Sequence, residues 1–168
     1  MVADVIRLML FPALMAFAAS SDLLTMTISN RVSLILVGGF VALAVVIGMS
    51  PMLVLSHVGA ATVVLVIVFV FFVRGWIGGG DAKLAAATAL WLGFDHLFAY
   101  FVYASLFGGL LTLVLLQLRT IPLPQILAGQ EWAERLHRND TGVPYGIALA
   151  AAALAVYPDT AWMKAVAM

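Results

Sequence analysis

Hydrophobic residues run together along most of this chain, and polar residues punctuate the runs. Apolar stretches cover residues 5–21, 33–49, 53–73, 82–94, 97–118 and 143–157. A helix needs about 20 mostly apolar residues to cross the roughly 30 Å hydrocarbon core of a bilayer. With short loops, 168 residues therefore hold at most about six or seven crossings. The pattern predicts an all-α, polytopic integral membrane protein of about six transmembrane helices, organised as one domain over 1–168. The fourth and sixth stretches are short. The fourth gains length if it begins at the preceding glycines, and Pro144 is tolerated in the sixth where a neighbouring helix or water satisfies the freed backbone group.

Composition sharpens this picture. The chain is 65% hydrophobic and 10% charged, with a mean hydropathy of +1.15, far from the balance of a water-soluble domain. Eight Lys and Arg against eight Asp and Glu leave no excess charge to draw nucleic acid. The absence of cysteine removes disulfides, thiolate metal sites and Cys nucleophiles together. His57, His96 and His137 are scattered and fit no metal spacing. The lipid bilayer is thus the first expected partner; neither metal nor cofactor is expected.

The basic residues give a direction. With the N-terminus outside, the inner loops collect Arg31, Arg74, Lys83, Arg119, Arg135 and Arg138, leaving Arg7 and Lys164 outside. Both termini are then external, and Asp95-His96 reads as an outer turn. A competing reading takes residues 8–16 with Ala16-Phe17-Ala18 as a signal peptide. Cleavage there would put the first charged loop on the wrong side for this count. The one long polar stretch, 119–142, reads as a cytoplasmic loop. Within it, Glu131/Arg135 and Glu134/Arg138 have the spacing and order of helical ion pairs, predicting a short interfacial helix that serves as a solvated connector.

Two acids stand out by position. Asp22 follows Ser20-Ser21 at the end of the first run, and Asp81 follows Gly78-Gly79-Gly80 at the start of the fourth. The charge count puts both on the inner side. Two carboxylates within hydrogen-bond distance do not both ionise easily, so one serves as base and the other as acid. Such a pair hydrolyses a peptide bond through a water, without metal or covalent nucleophile. Glycines beside it let a substrate backbone approach closely. Plain structural readings stand beside this: Asp22 as a helix-ending interfacial residue, Asp81 as an N-terminal cap, the glycines as a turn. Lys83, two residues after Asp81, either tunes or orients the pair or anchors the inner side by its charge.

The segment Asp22-Leu23-Leu24-Thr25-Met26-Thr27-Ile28-Ser29-Asn30 resembles the first signature of the type IV prepilin peptidases, an Asp followed by Ile-Pro-Asn. Gly78-Gly79-Gly80-Asp81-Ala82-Lys83-Leu84 is similar to their second, GxGD with a Lys-Leu pair. Pro144-Tyr145-Gly146-Ile147-Ala148 is similar to the opening of the last helix in short members. The length is most like the peptidases of tight-adherence or Flp pilus systems. The resemblance implies a membrane aspartyl protease of the inner membrane with Asp22 and Asp81 as the catalytic pair. Gly78, Gly79, Gly80, Lys83, Asn30, Pro144, Tyr145 and Gly146 would surround the pair or the substrate. The implied partners are prepilin and pseudopilin precursors, cut on the cytoplasmic side just before the pilin's hydrophobic helix. Ser29 stands where the family usually has Pro, implying a less rigid loop. Larger members carry an N-methyltransferase region with paired cysteines; a cysteine-free chain with a short first inner loop predicts proteolysis without methylation. Two other readings remain: a small proton-coupled transporter, since buried acids and a glycine break also serve transport, and a catalytically silent pilus or secretion assembly subunit.

Overall fold

The structure is a computed structural model that describes residues 2–163; Lys164, one of the two basic residues counted as external, lies outside the described residues. The described residues form seven α-helices: α1 (Val2–Thr25), α2 (Asn30–Val46), α3 (Pro51–Val73), α4 (Gly79–Leu92), α5 (Phe94–Leu118), α6 (Glu131–His137) and α7 (Tyr145–Val156), followed by a 3₁₀ turn over Tyr157–Asp159. There is no strand among the described residues, and the all-α expectation holds.

Among the described residues three helices are long and apolar enough to cross a membrane: α3, α5 and α1 from Asp4 onward. Helices α2, α4 and α7 have 17, 14 and 12 residues, short of the about 20 that a full crossing takes. The outward faces are apolar: Phe98 is 83% and Leu113 67% exposed. Contiguous bulky apolar exposure of this kind is what a lipid-facing surface requires.

Several boundaries differ from the sequence expectation for identifiable reasons. Helix α1 does not stop at Ser21 but runs to Thr25, because the Thr25 hydroxyl donates to the Ser21 carbonyl and Met26, at a φ of 55°, closes the helix with its N–H on the Asp22 carbonyl. Asp22 therefore sits in the last helical turn. Helix α2 starts at Asn30, before Ser33, since the Ser29 hydroxyl caps it by accepting from the Arg31 N–H. Ser50 caps α3 with Pro51 in the first turn. Asp95 and His96 are not an outer turn but lie in the first turn of α5. Gly93 alone, at a φ of 67°, reverses the chain between α4 and α5.

Helix α4 is the axis of the bundle. Every residue from Ala82 to Leu92 except Lys83 is buried, and α2, α3, α5 and α7 all pack on it. Its alanines Ala85, Ala86, Ala87 and Ala89, together with Ala150, Ala152 and Ala153 of α7, allow backbones to approach closely, as helix association in lipid favours. At the far end from Asp81, aromatic rings fill the core, with Trp91 against Phe11 at 5.2 Å and against Trp162 at 5.2 Å.

Candidate active site

Helices α1, α4 and α7 bring one end each to a common point. Asp22 comes from the last turn of α1 and is 5% exposed. Its Oδ2 accepts the Gly146 backbone N–H at 2.7 Å, and the Ile147 N–H also bonds the carboxylate. Those two N–H groups belong to the first turn of α7, which has Pro144 at its cap position and hence no capping side chain of its own. Asp22 thus fills, from 124 residues away, the role a local Ser or Asp normally plays for orphan first-turn donors.

Asp81 is arranged in a related way. It is the third residue of α4, partly buried, and its carboxylate accepts the N–H of Gly78, the cap residue. This is the side-chain-to-cap half of a capping box, with glycine where Ser or Thr usually stands. Asp81 is therefore not the cap itself. The two carboxylates are near enough for their charges to act on each other.

Ile28, buried in the α1–α2 connection, sets the spacing. A Cβ on Gly80 would lie 3.2 Å from the Ile28 Cβ. A Cβ on Gly146 would lie 2.6 Å from the Ile28 Cδ1 and 2.7 Å from the Asp22 Oδ2. Ile28 thus packs against both glycines: a side chain at Gly146 would force Ile28 and the Asp22 carboxylate to shift, and one at Gly80 would press Ile28 by a few tenths of an ångström. Gly79 faces the Phe72 ring, where a Cβ would lie 3.2 Å away. Gly78 is exposed beside the Asp81 carboxylate.

The remaining expected residues divide. The Lys83 ammonium donates to the Asn30 Oδ1 at 2.8 Å, joining the first turns of α4 and α2 beside the pair. Pro144 is buried at the cap of α7. Tyr145 is turned toward α5: its hydroxyl pairs with that of Thr112 at 3.1 Å and its ring covers Gly108. It is not gathered with the two acids. Ile28 and Ile147 stood in the segments that carry the family resemblance but were given no role there. For Ile28 the signals were its place in the Ile-Pro-Asn signature and its isolation, as an aliphatic residue, between Thr27 and Ser29. Among the described residues no group of three or more His, Asp or Glu is placed to hold a metal.

Segment 119–142 is tied to this end of the bundle. Arg119 donates to the carbonyls of Leu136 and Gly142, pinning the loop to its own return. Arg135, on α6, donates to the Leu24 carbonyl at 3.0 Å, at the end of α1. A cation on the final carbonyls of a helix is favoured by the helix dipole. The expected connector helix is thus tied to the helix that carries Asp22.

The model of the type IV leader peptidase family matches residues 9–113, more than half of the chain. The chain belongs to that family. No curated protein and no solved structure matches it. The leader peptidase match takes in Asp22, Ile28, Asn30, the three glycines, Asp81 and Lys83 and ends before Pro144. The contact of Gly146 with Asp22 is therefore an observation of the structure, independent of the family match.

Proposed function

We propose that this leader peptidase family member is an aspartic endopeptidase that removes the leader from prepilins and pseudopilins at the cytoplasmic face of the bacterial inner membrane. It acts as one transmembrane domain over 1–168, without methyl transfer. The observation that carries the reading is the convergence of Asp22 and Asp81 from the ends of α1 and α4, each oriented by backbone N–H groups of a short helix.

Two neighbouring carboxylates share a proton more readily than both ionise. The ionised member takes a proton from a water held between them while the water oxygen attacks the scissile carbonyl carbon; the protonated member gives its proton to the carbonyl oxygen. A tetrahedral diol results. The first acid then protonates the amide nitrogen, the second recovers its proton from a diol hydroxyl, and the carbon–nitrogen bond breaks. Gly78 and Gly80, without Cβ atoms, leave room for an extended peptide beside Asp81.

The cytoplasmic placement draws support from charge. Arg31, Arg74, Lys83, Arg119, Arg135 and Arg138 all belong to the connections or helix ends on the side of the bundle that carries the acid pair, and such residues favour the cytoplasmic side.

The test is co-expression with a prepilin and detection of leader loss by gel shift. The wild-type chain removes the leader, while Asp22→Ala and Asp81→Ala each slow removal by about 10²–10⁴-fold, the usual contribution of a positioned acid or base. Full cleavage by either variant would sink the paired-carboxylate mechanism.

A further inference from the structure

Helices α2 and α3 each pack along α4 but scarcely touch one another. Between them lies a groove of about 890 Å³. Along one wall stand Asn30, Ser33, Val37, Val41, Ala44 and Gly48, three or four residues apart. Its helical part, Asn30 to Ala44, runs about 21 Å at 1.5 Å per residue. The facing wall is Val54, Val58, Ala61 and Leu65, with the same rhythm, and the floor is Ala86, Ala87 and Leu90 of α4. Two walls with helical periodicity and a floor lowered by Ala86 and Ala87 make a seam into which the ridges of another helix fit.

The groove differs from the ordinary lipid-facing surface of this protein. On α5 the outward positions are bulky: Phe98, Leu106, Leu110 and Leu113, each more than 60% exposed. In the groove, alanines instead hold the floor down. Its two ends also differ. One is lined by Gly48, Met49 and Val54; the other by Asn30, Ser33 and Lys83, the last of them two residues beyond Asp81 in the first turns of α4. Asn30 is exposed at that end, and its Oδ1 accepts the Lys83 ammonium.

We infer that this groove receives the hydrophobic helix of the substrate, N-terminal end toward Asn30 and Ser33, so that the peptide bond preceding that helix lies over Asp22 and Asp81. The inference rests on the peptidase reading above and adds where the membrane-embedded part of the substrate docks. The first turn of any helix carries four N–H groups with no partner inside the helix. The exposed Asn30 Oδ1, which accepts one bond from Lys83, has a second lone pair for them at the end where that turn arrives. The rest of the groove offers an apolar helix small residues for close packing and asks it to bury no polar group.

The cysteine-free chain makes the test direct. Single substitutions Val41→Cys and Leu65→Cys, on opposite walls, and Phe98→Cys on α5 as the outward comparison, are combined with Asp81→Asn to retain the precursor. The probe is a single-span prepilin with one cysteine moved through successive positions of its hydrophobic helix. Oxidation in the membrane gives cross-links at Val41→Cys and Leu65→Cys that rise and fall every three to four substrate positions and exceed those at Phe98→Cys several-fold. Leader removal by the otherwise wild-type chain is read in parallel. Cleavage with no cross-link at either wall, cross-links equally strong at Phe98→Cys, or enzyme–enzyme dimers through Val41→Cys as the main product would each overturn the groove inference alone. Absence of any leader removal would remove the peptidase reading, and the groove inference with it.

Discussion

The two ends of α4 meet the same physical problem and resolve it differently. A 14-residue helix is about 21 Å long and leaves four unpaired N–H groups at one end and four unpaired carbonyls at the other, here among apolar neighbours. At the C-terminal end each of three carbonyls finds a donor: the Gly93 N–H meets Ala89 at 2.9 Å, the His57 Nδ1 meets Leu90 at 2.8 Å, and the Trp162 Nε1 meets Trp91 at 2.7 Å. Aromatic rings close round them. At the N-terminal end there is no such closure: three glycines lead in, Gly78 is exposed, and the Asp81 carboxylate turns back to the Gly78 N–H. One end is a finished core; at the other Gly78 is exposed and Asp81 only partly buried, as the proposed peptidase site requires. Bulky rings that satisfy carbonyls hold α4 in place, and that fixed helix presents Asp81 to Asp22.

Gly146→Ala is the sharpest way to break the contrast, after loss of an acid itself. The new methyl would stand 2.7 Å from the Asp22 Oδ2 and 2.6 Å from the Ile28 Cδ1, so the carboxylate must shift. A displacement near 1 Å at a reacting group costs about 10²-fold in rate. Leader removal is expected to fall by about that factor, with the helical circular dichroism of the wild type retained. Unchanged cleavage would mean that Asp22 does not depend on the α7 end for its position.

His57→Ala probes the closed end and gives the opposite pattern. It leaves the Leu90 carbonyl unpaired and opens space beside Phe40 and Trp162, whose rings lie 5.4 and 6.2 Å from the imidazole. Stability in detergent is expected to fall by about 2–3 kcal/mol. Cleavage per folded molecule should stay within about twofold, since distant sites act nearly independently. Thermal unfolding and gel-shift assays on the same preparation check both. A loss of activity without a loss of stability would show that the closed end does more than hold α4.

This contrast also explains what the sequence could and could not disclose. Apolar runs located α1, α2, α3 and α5 because a lipid-facing helix writes its length directly into composition. Asp22 and Asp81 were visible because acids are costly in such surroundings and each needs a reason to be there. The spacing of Glu131, Glu134, Arg135 and Arg138 foretold α6, but its tie to Leu24 joins residues 111 apart, which no local pattern encodes. The same holds for Gly146, suggested by resemblance to a family segment and given its physical role only by its N–H on Asp22. Tyr145, adjacent in sequence, faces α5 instead: on a helix, successive residues point about 100° apart. The extension of α1 past Ser21 escaped notice because hydroxyls bonded back to the preceding turn let polar residues continue a helix.

The central claim is that Asp22 and Asp81 act as one unit. Single-turnover leader removal from one prepilin, measured for Asp22→Ala, Asp81→Ala and the double variant, tests this directly. Groups that act together are strongly non-additive. The account predicts that the double variant is no slower than the slower single variant, each reduced by about 10²–10⁴-fold. A double variant slowed by the product of the two single effects would contradict it, because the two carboxylates would then be contributing separately.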